Sequence, residues 1–439
     1  MQSVESIIHA RWVIPVEPDN AVLEYHSIII DDGLIKAILP TEQAKIQFES
    51  HFTHNRPDHA VFPGLINAHT HAAMSLLRGL ADDMPLMQWL QEHIWPAEAK
   101  WVNPDFVADG TRLAVAEMLR GGITCFADMY YFPDMVAHVC GECHMRVCAG
   151  MIVIDFPTVW AQNADEYINK GIRFHDEVKN NPLVHTVFTP HAPYTVSDEP
   201  LRRIAILADE LDVPIHIHVH ETADEVRQSI EQCGKRPLRR LMDLNMLTPR
   251  LMAVHMTDLQ ESEIQTLATA GANVIHCPES NLKLASGFCP VHKLQTAGVN
   301  VALGTDGAAS NNDLNMFGEM RTAALLGKGI AGDASALPAY TVLRMATLNA
   351  AKALGIDELT GSLKAGKAAD IVAVNLNSIE TKPFYDPISQ LVYATGRDKV
   401  SDVWVAGKHV LNHRVLTTVD EGELIRSTAA WQLKIRENA

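Results

Sequence analysis

From Ala60 to Asp306 the chain repeats one pattern eight times: a short apolar, strand-like run followed by a helix-like stretch. The runs are "AVFPGLINAH", "GITCFADM", "RVCAGMIVI", "VHTVFTPH", "VPIHIHVH", "LMAVH", "ANVIHC" and "NVALGTD". Most lack the polar alternation of a strand with one wet face, so they read as strands covered on both sides. Strands that alternate with helices predict a parallel sheet. Eight such units predict a (β/α)8, TIM-like barrel over residues 61–360, with its active site at the C-terminal ends of the strands. A three-layer α/β sheet is the competing architecture. One helical stretch, "NPDFVADGTRLAVAEMLRGG", carries its own punctuation. Asn103 is placed to cap it, Pro104 suits its first position, and Gly121 and Gly122 end it. Val107, Ala114 and Met118 share one of its faces.

The flanks have another texture. "SIIIDDGLIKAILP" (27–40) reads as a hairpin around Asp-Asp-Gly. "GSLKAGKAADIVAVNL" (361–376) and "VSDVWVAGKHVLNHRV" (400–415) are also β-rich and punctuated by glycine. Residues 1–60 and 361–420 are therefore expected to build one small β-sandwich domain from both chain ends. Residues 421–439 are expected to form a C-terminal helix. A chain of 439 residues has room for both units.

Composition narrows the partners. The formal charge of −17 argues against a basic face for nucleic acid or an anionic membrane. No run approaches the ~18 apolar residues of a membrane span, and the first residues lack a basic start followed by an apolar core. Seven cysteines, an odd number, suit reduced thiols and a cytoplasmic location. Cys140 and Cys143 form a lone C-x-x-C that reads as buried thiols.

Chemistry gathers where the strand-like runs end. His69 and His71 end the first, His191 the fourth, His255 the sixth and Asp306 the eighth. In "PIHIHVHET" (214–222), His216, His218 and His220 alternate and Glu221 follows. Alternate strand residues face one way, so His69 and His71 can reach a single ion, and neutral imidazole suits zinc. With a third histidine and a strand-end aspartate, the set becomes a mixed N/O site with an open position, which marks a catalytic metal. Such an ion brings the pKa of bound water to about 7. Strand residues two apart are ~6.5 Å apart along the strand, so His216 and His220 do not easily share one ion. His216 is expected deeper in the barrel, as packing or a hydrogen-bond partner of a ligand, and His220 at the pocket wall.

"FPGLINAHTHAAMSLLRG", "VHETADEV", "VHMTDL", "HCPESNLKLASG" and "LGTDGAASNNDLNMFGEMR" together resemble the amidohydrolase superfamily, and within it the 5'-methylthioadenosine/S-adenosylhomocysteine deaminase branch. The resemblance covers nearly the whole chain. It implies that His69, His71, His218 and Asp306 hold one divalent metal, with zinc the default and Fe²⁺ or Mn²⁺ as alternatives. It implies that Glu221 shuttles a proton, that His255 assists at the attacked centre, and that Trp89, Glu98 and His191 contact a nucleoside, Glu98 through the ribose hydroxyls. Binuclear relatives carry a bridging lysine after the fourth barrel strand. "HTVFTPHAPYT" has none there, which implies a single metal.

The implied reaction is hydrolytic deamination at C6 of an adenine nucleoside, with Asp306 and Glu221 handling protons. In one respect the sequence departs from the branch. Relatives that handle S-adenosylhomocysteine well place arginines between the third and fourth strands. Here residues 148–180 offer only Arg173, on a helix-like stretch, and "MIVIDFPTVW" is apolar. An apolar 5' end favours 5'-methylthioadenosine, because burying an unpaired charge is costly. Guanine, cytosine or s-triazine substrates remain as alternatives, as does a barrel that has lost activity and serves as a scaffold. The family resemblance further implies a homodimer.

Overall fold

The computed structural model describes residues 1–436. The N-terminal part forms β1 (Gln2–Val13), β2 (Leu23–Asp31), β3 (Leu34–Pro40) and β4 (Phe48–Pro63). The next eight strands are β5 (Leu65–Thr70), β6 (Ile123–Asp128), β7 (Arg146–Val153), β8 (Val184–Pro190), β9 (Ile215–Val219), β10 (Leu251–His255), β11 (Asn273–His276) and β12 (Asn300–Leu303). They are the eight apolar runs of the sequence. They lie in chain order in one sheet, each paired in parallel with the next.

The sheet closes on itself where the segment after β12 meets β5. The Asp306 amide donates to the His69 carbonyl at 3.0 Å, and the Thr305 amide to Asn67 Oδ1 at 2.9 Å. Gly304 makes this seam possible. A Cβ there would stand 2.8 Å from the His69 nitrogen, closer than real side chains come. The closing seam thus draws Asp306 up to His69. Below the site, Ala350, Ala351, Ala353, Leu354 and Ile356 pack against Ile66, Ala68, Met252 and Val254 and plug the barrel interior. The small side chains of the plug let a helix (Leu348–Ala353) fit against the strands.

Helix Pro104–Arg120 follows its sequence signals. The Asn103 side chain accepts from the Phe106 amide at 2.9 Å, Pro104 opens the helix and Gly121 ends it. Val107, Ala114 and Met118 are fully buried on its inner face.

The chain ends meet in a second, mixed sheet. Its C-terminal strands are β13 (Ile371–Asn375), β14 (Val400–Val405), β15 (Lys408–Asn412) and β16 (Val415–Leu416). The sheet order is β16-β15-β14-β13-β4-β1-β2-β3, so the pairing of β13 with β4 joins the two ends. β2 and β3 form the expected hairpin, with Asp32 and Gly33 both at positive φ (52° and 71°), a conformation suited to glycine and tolerated by aspartate. A buried ion pair anchors the sheet to the barrel. The Arg146 guanidinium on β7 donates to both carboxylate oxygens of Asp370, at 2.9 and 3.2 Å. Helix Glu421–Arg436 lies against Pro104–Arg120, where Trp431 Nε1 donates to Asp109 Oδ2 at 2.8 Å. The end of the expected C-terminal helix, 437–439, lies outside the described residues. Among the described residues, no helix is long and apolar enough to cross a membrane.

Candidate active site

The strand ends bring the histidines and the aspartate into one place. His69, His71 and Asp306 offer ligand atoms within 4.8 Å of one another, and so do His69, His218 and His255. His69 belongs to both sets and lies at their centre. His69 Nε2 and His71 Nε2 stand 3.4 and 3.3 Å from Asp306 Oδ1, and His218 Nε2 stands 3.2 Å from His69 Nε2.

The outer ring nitrogens decide what these imidazoles present inward. His71 Nδ1 donates to the Met129 carbonyl at 2.7 Å, and His218 Nδ1 to the His191 carbonyl at 2.7 Å. Each ring therefore keeps its proton outside and turns the Nε2 lone pair inward. Both lone pairs share a small space with the Asp306 carboxylate. Electron-rich atoms this close repel unless a cation lies among them. In the bare chain a proton on His71 meets that need. Burial lowers its pKa, but hydrogen bonding and charge from Asp306 outweigh burial and lift it to about 9. A divalent cation satisfies all the donors at once, and three imidazoles with one carboxylate suit zinc. The residues present therefore fit a metal.

Neighbouring groups fix the donors. Ser280 Oγ donates to Asp306 Oδ2 and the Gly307 amide to Oδ1, both at 2.7 Å. His216 Nε2 lies 3.0 Å from His69 Nδ1, so His216 is the hydrogen-bond partner of a candidate ligand. His220 is not among the pocket-lining residues. Its backbone turns left-handed (φ 52°), which breaks the alternation. Its ring instead bonds outward, Nδ1 to the Asp258 carbonyl at 2.6 Å and Nε2 to the Leu238 amide at 3.0 Å. The expectation of a wall residue at 220 is thus corrected. His255 and Asp306 also have positive φ (76° and 64°), so backbone strain collects at the mouth of the barrel.

Glu221 lies beside His255, with Oε1 3.8 Å from its Nε2. Its carboxyl is buried, which pushes its pKa above the usual range. His255 is held from behind by Asn281, with Nδ1 2.8 Å from Oδ1. Glu225 secures the turn that carries Glu221 by accepting from the amides of His220 and Glu221 at 3.1 and 2.7 Å. The sequence reading missed Glu225, although T-x-x-E at 222–225 is a helix-start signal that could have found it.

One pocket joins these groups to the nucleoside-contact candidates. His71, His218, Glu221, His255 and Asp306 line one side, and Trp89, Glu98 and His191 line the rest. Trp89 opens a π-helical turn, Trp89–Ile94, set between helices Leu86–Gln88 and Trp95–Trp101. Glu98 accepts a hydrogen bond from the Tyr130 hydroxyl at 2.7 Å, and burial pushes its carboxyl up to about 7. Ile152, near the end of β7, and Ile154 and Phe156 just after it form another wall. Among the described residues, no lysine or arginine lines the pocket. Tyr130 and Tyr194 also line it and were not singled out from sequence.

Residues 60–410 match the amidohydrolase family. A 5-methylthioadenosine/S-adenosylhomocysteine deaminase from Saccharophagus degradans is 51% identical over 430 residues, covering 98% of this chain and 96% of that protein. A protein of the same name from Teredinibacter turnerae is 49% identical, over 99% of this chain and 98% of its own. Among solved structures, an adenosine deaminase from Xanthomonas campestris with bound zinc is 52% identical, with a TM-score of 0.98 over 99% of each chain. An atrazine chlorohydrolase from Arthrobacter aurescens shares the fold at 24% identity, with a TM-score of 0.91 over 97% of this chain and 99% of that one. The strand-end donors and these likenesses converge: the chain belongs to the amidohydrolase family.

Proposed function

We propose that the protein is a metal-dependent deaminase that hydrolyses the C6 amine of an adenine nucleoside, with 5'-methylthioadenosine as its preferred substrate. The carrying observation is one pocket with three chemically distinct parts. A metal-fitting His/Asp cluster with the Glu221–His255 pair occupies one part, the Glu98 carboxylate a second, and the Ile152–Ile154–Phe156 wall a third. These parts match a reacting purine edge, a vicinal diol and an apolar 5' group. The relatives named above carry the same activity in their names.

One ion, zinc by default, would be held by His69, His71, His218 and Asp306, and would supply a nucleophilic water near neutral pH. Asp306, fixed by Ser280 and Gly307, takes the proton from the water that adds at C6. Burial raises the Glu221 pKa, which favours its protonated form, and from that form it delivers a proton to N1 of the ring. Asp306 passes its proton to the amine, which leaves as ammonia, and Glu221 recovers a proton from the added hydroxyl as the C6 carbonyl forms. His255, its Nδ1 held by Asn281, turns Nε2 toward Glu221 and the oxygen that adds. Trp89 packs on the nucleoside, His191 lines its far side, and Glu98 accepts from the ribose hydroxyls. Among the described residues lining the pocket, the tail carboxylate of S-adenosylhomocysteine finds no cationic partner, and the adenosine 5'-hydroxyl gains nothing from the apolar wall, so both are poorer substrates. The active form is a homodimer, testable by light scattering.

The test is ammonia release from 5'-methylthioadenosine, S-adenosylhomocysteine and adenosine by wild type and Glu221→Gln. The expected result is the highest kcat/KM for 5'-methylthioadenosine and a roughly 10²–10⁴-fold lower kcat in the variant. No release from any adenine nucleoside, or release from free guanine or a triazine instead, overturns the assignment. A clear preference for S-adenosylhomocysteine overturns the reading of the apolar wall.

A further inference from the structure

Three consecutive residues after the start of the β6 exit do separate jobs within the site. The Asp128 carboxylate accepts from the Ala72 amide at 2.7 Å and from Thr70 Oγ1 at 3.2 Å, which pins the chain on both sides of His71. The Met129 carbonyl accepts from His71 Nδ1 at 2.7 Å. The Tyr130 hydroxyl donates to Glu98 Oε1 at 2.7 Å. Glu98 itself lies on a different piece of chain, helix Trp95–Trp101, which lines the same pocket as the strand-end residues. That helix has no fully buried residue of its own to set its depth.

We infer that Tyr130 is a positioning residue for nucleoside binding: through its hydroxyl it holds Glu98 at a fixed distance from the metal-ligand end of the pocket. The Tyr130 ring is buried, 4% exposed, and packs at 5.2 Å from the Tyr131 ring, so its hydroxyl is a rigid anchor. One Glu98 oxygen is occupied by that anchor. The other is left for the sugar, with the lone pairs of both still available to two adjacent hydroxyls. Because Met129 orients His71 in the same segment, the distance from diol to reacting carbon is set by a single stretch of backbone. A nucleoside is gripped at both ends, so an error at the diol end appears as lost binding, and the reacting end keeps its rate.

The inference rests on the reading of Glu98 as the diol acceptor, and the experiment separates the two. Zinc-loaded wild type, Tyr130→Phe, Glu98→Gln and the double variant are assayed on adenosine and on 2',3'-dideoxyadenosine, with zinc content and Tm recorded for each. Wild type is expected to favour adenosine through KM. Tyr130→Phe is expected to raise KM for adenosine about tenfold, the loss of roughly one hydrogen bond's worth of positioning, with kcat within about twofold and zinc content unchanged. Its effect on the dideoxy substrate is expected to be small, and adding it to Glu98→Gln is expected to change little more. Equal losses on both substrates, or a fall in kcat with KM unchanged, overturn the role of Tyr130. Equal KM values of wild type for the two substrates overturn the reading of Glu98, and with it there is no diol acceptor for Tyr130 to position. If Tyr130→Phe misfolds, Tyr130→Leu takes its place in the same set of variants, under the same criteria.

Discussion

Two buried aspartates sit among histidines in this protein, and they do opposite things. Asp306, at the barrel mouth, faces His69 and His71. Asp402, on β14, faces His409 at 3.0 Å and has His54 nearby, its ring 4.8 Å from that of His409. What separates them is an arginine. Arg56 donates to both oxygens of Asp402, at 2.8 and 2.6 Å, whereas the carboxylate of Asp306 meets a serine hydroxyl, an amide and inward lone pairs. Burial opposes ionisation of either group. Hydrogen bonds and charge from their partners nevertheless hold both carboxyls well below the usual range. At Asp402 the compensating charge is part of the chain, so the site is complete and structural. At Asp306 the compensating charge comes from a proton or an ion, and an exchangeable cation is what a catalytic centre uses. A cluster of histidines around a carboxylate therefore says little until the fixed cations have been counted.

Several changes would break or sharpen this contrast. Asp306→Asn is expected to abolish both zinc retention and ammonia release while the fold survives, as read by metal analysis and circular dichroism. Arg56→Ala is expected to do the reverse. It leaves Asp402 charged and uncompensated, at a cost of about 3–5 kcal/mol in stability, while zinc content and kcat per folded molecule stay unchanged. Denaturant unfolding measures this.

Chelation is expected to expose a smaller, pH-dependent effect. His71, ordinarily near 6.5, is lifted to about 9 in the metal-free chain. A histidine raised in this way contributes stability that is whole below 6.5 and is lost as pH rises through about 9. Metal-free protein is thus expected to lose Tm across that window, while zinc-loaded protein holds its Tm. The smallest effect belongs to Glu98. Burial raises its pKa from 4.5 to about 7, so its charge costs stability increasingly from 4.5 upward and fully above 7. Its contact with solvent in the pocket screens that cost. Glu98→Gln is expected to raise Tm above pH 7 by no more than about 2 °C, even as it weakens nucleoside binding.

Much of the barrel is legible in the sequence because its signals are local. Buried parallel strands read as apolar runs, and Asn103-Pro104 writes a helix start into two letters. His69, His71, His191, His255 and Asp306 stand out because they end strand-like runs that share one mouth, and the family resemblance adds His218 as a candidate ligand. Other parts are not local. Met129 acts through a carbonyl that any residue would supply, and the Tyr130–Glu98 bond joins segments that only the closed barrel brings together. His220 was misplaced because strand periodicity assumes extended backbone, and one left-handed residue ends it. Arg56 and Asp402, far apart in the chain, give no sign of each other in the sequence.

The join between β4 and β13 has a consequence during synthesis. β4 emerges from the ribosome long before β13, and every donor of the metal site lies between them. The nascent chain can therefore close its barrel, and even take up its ion, while β4 still presents an unpaired sheet edge. Such an edge is a template for pairing with other chains. That edge is covered only once β13 pairs with β4.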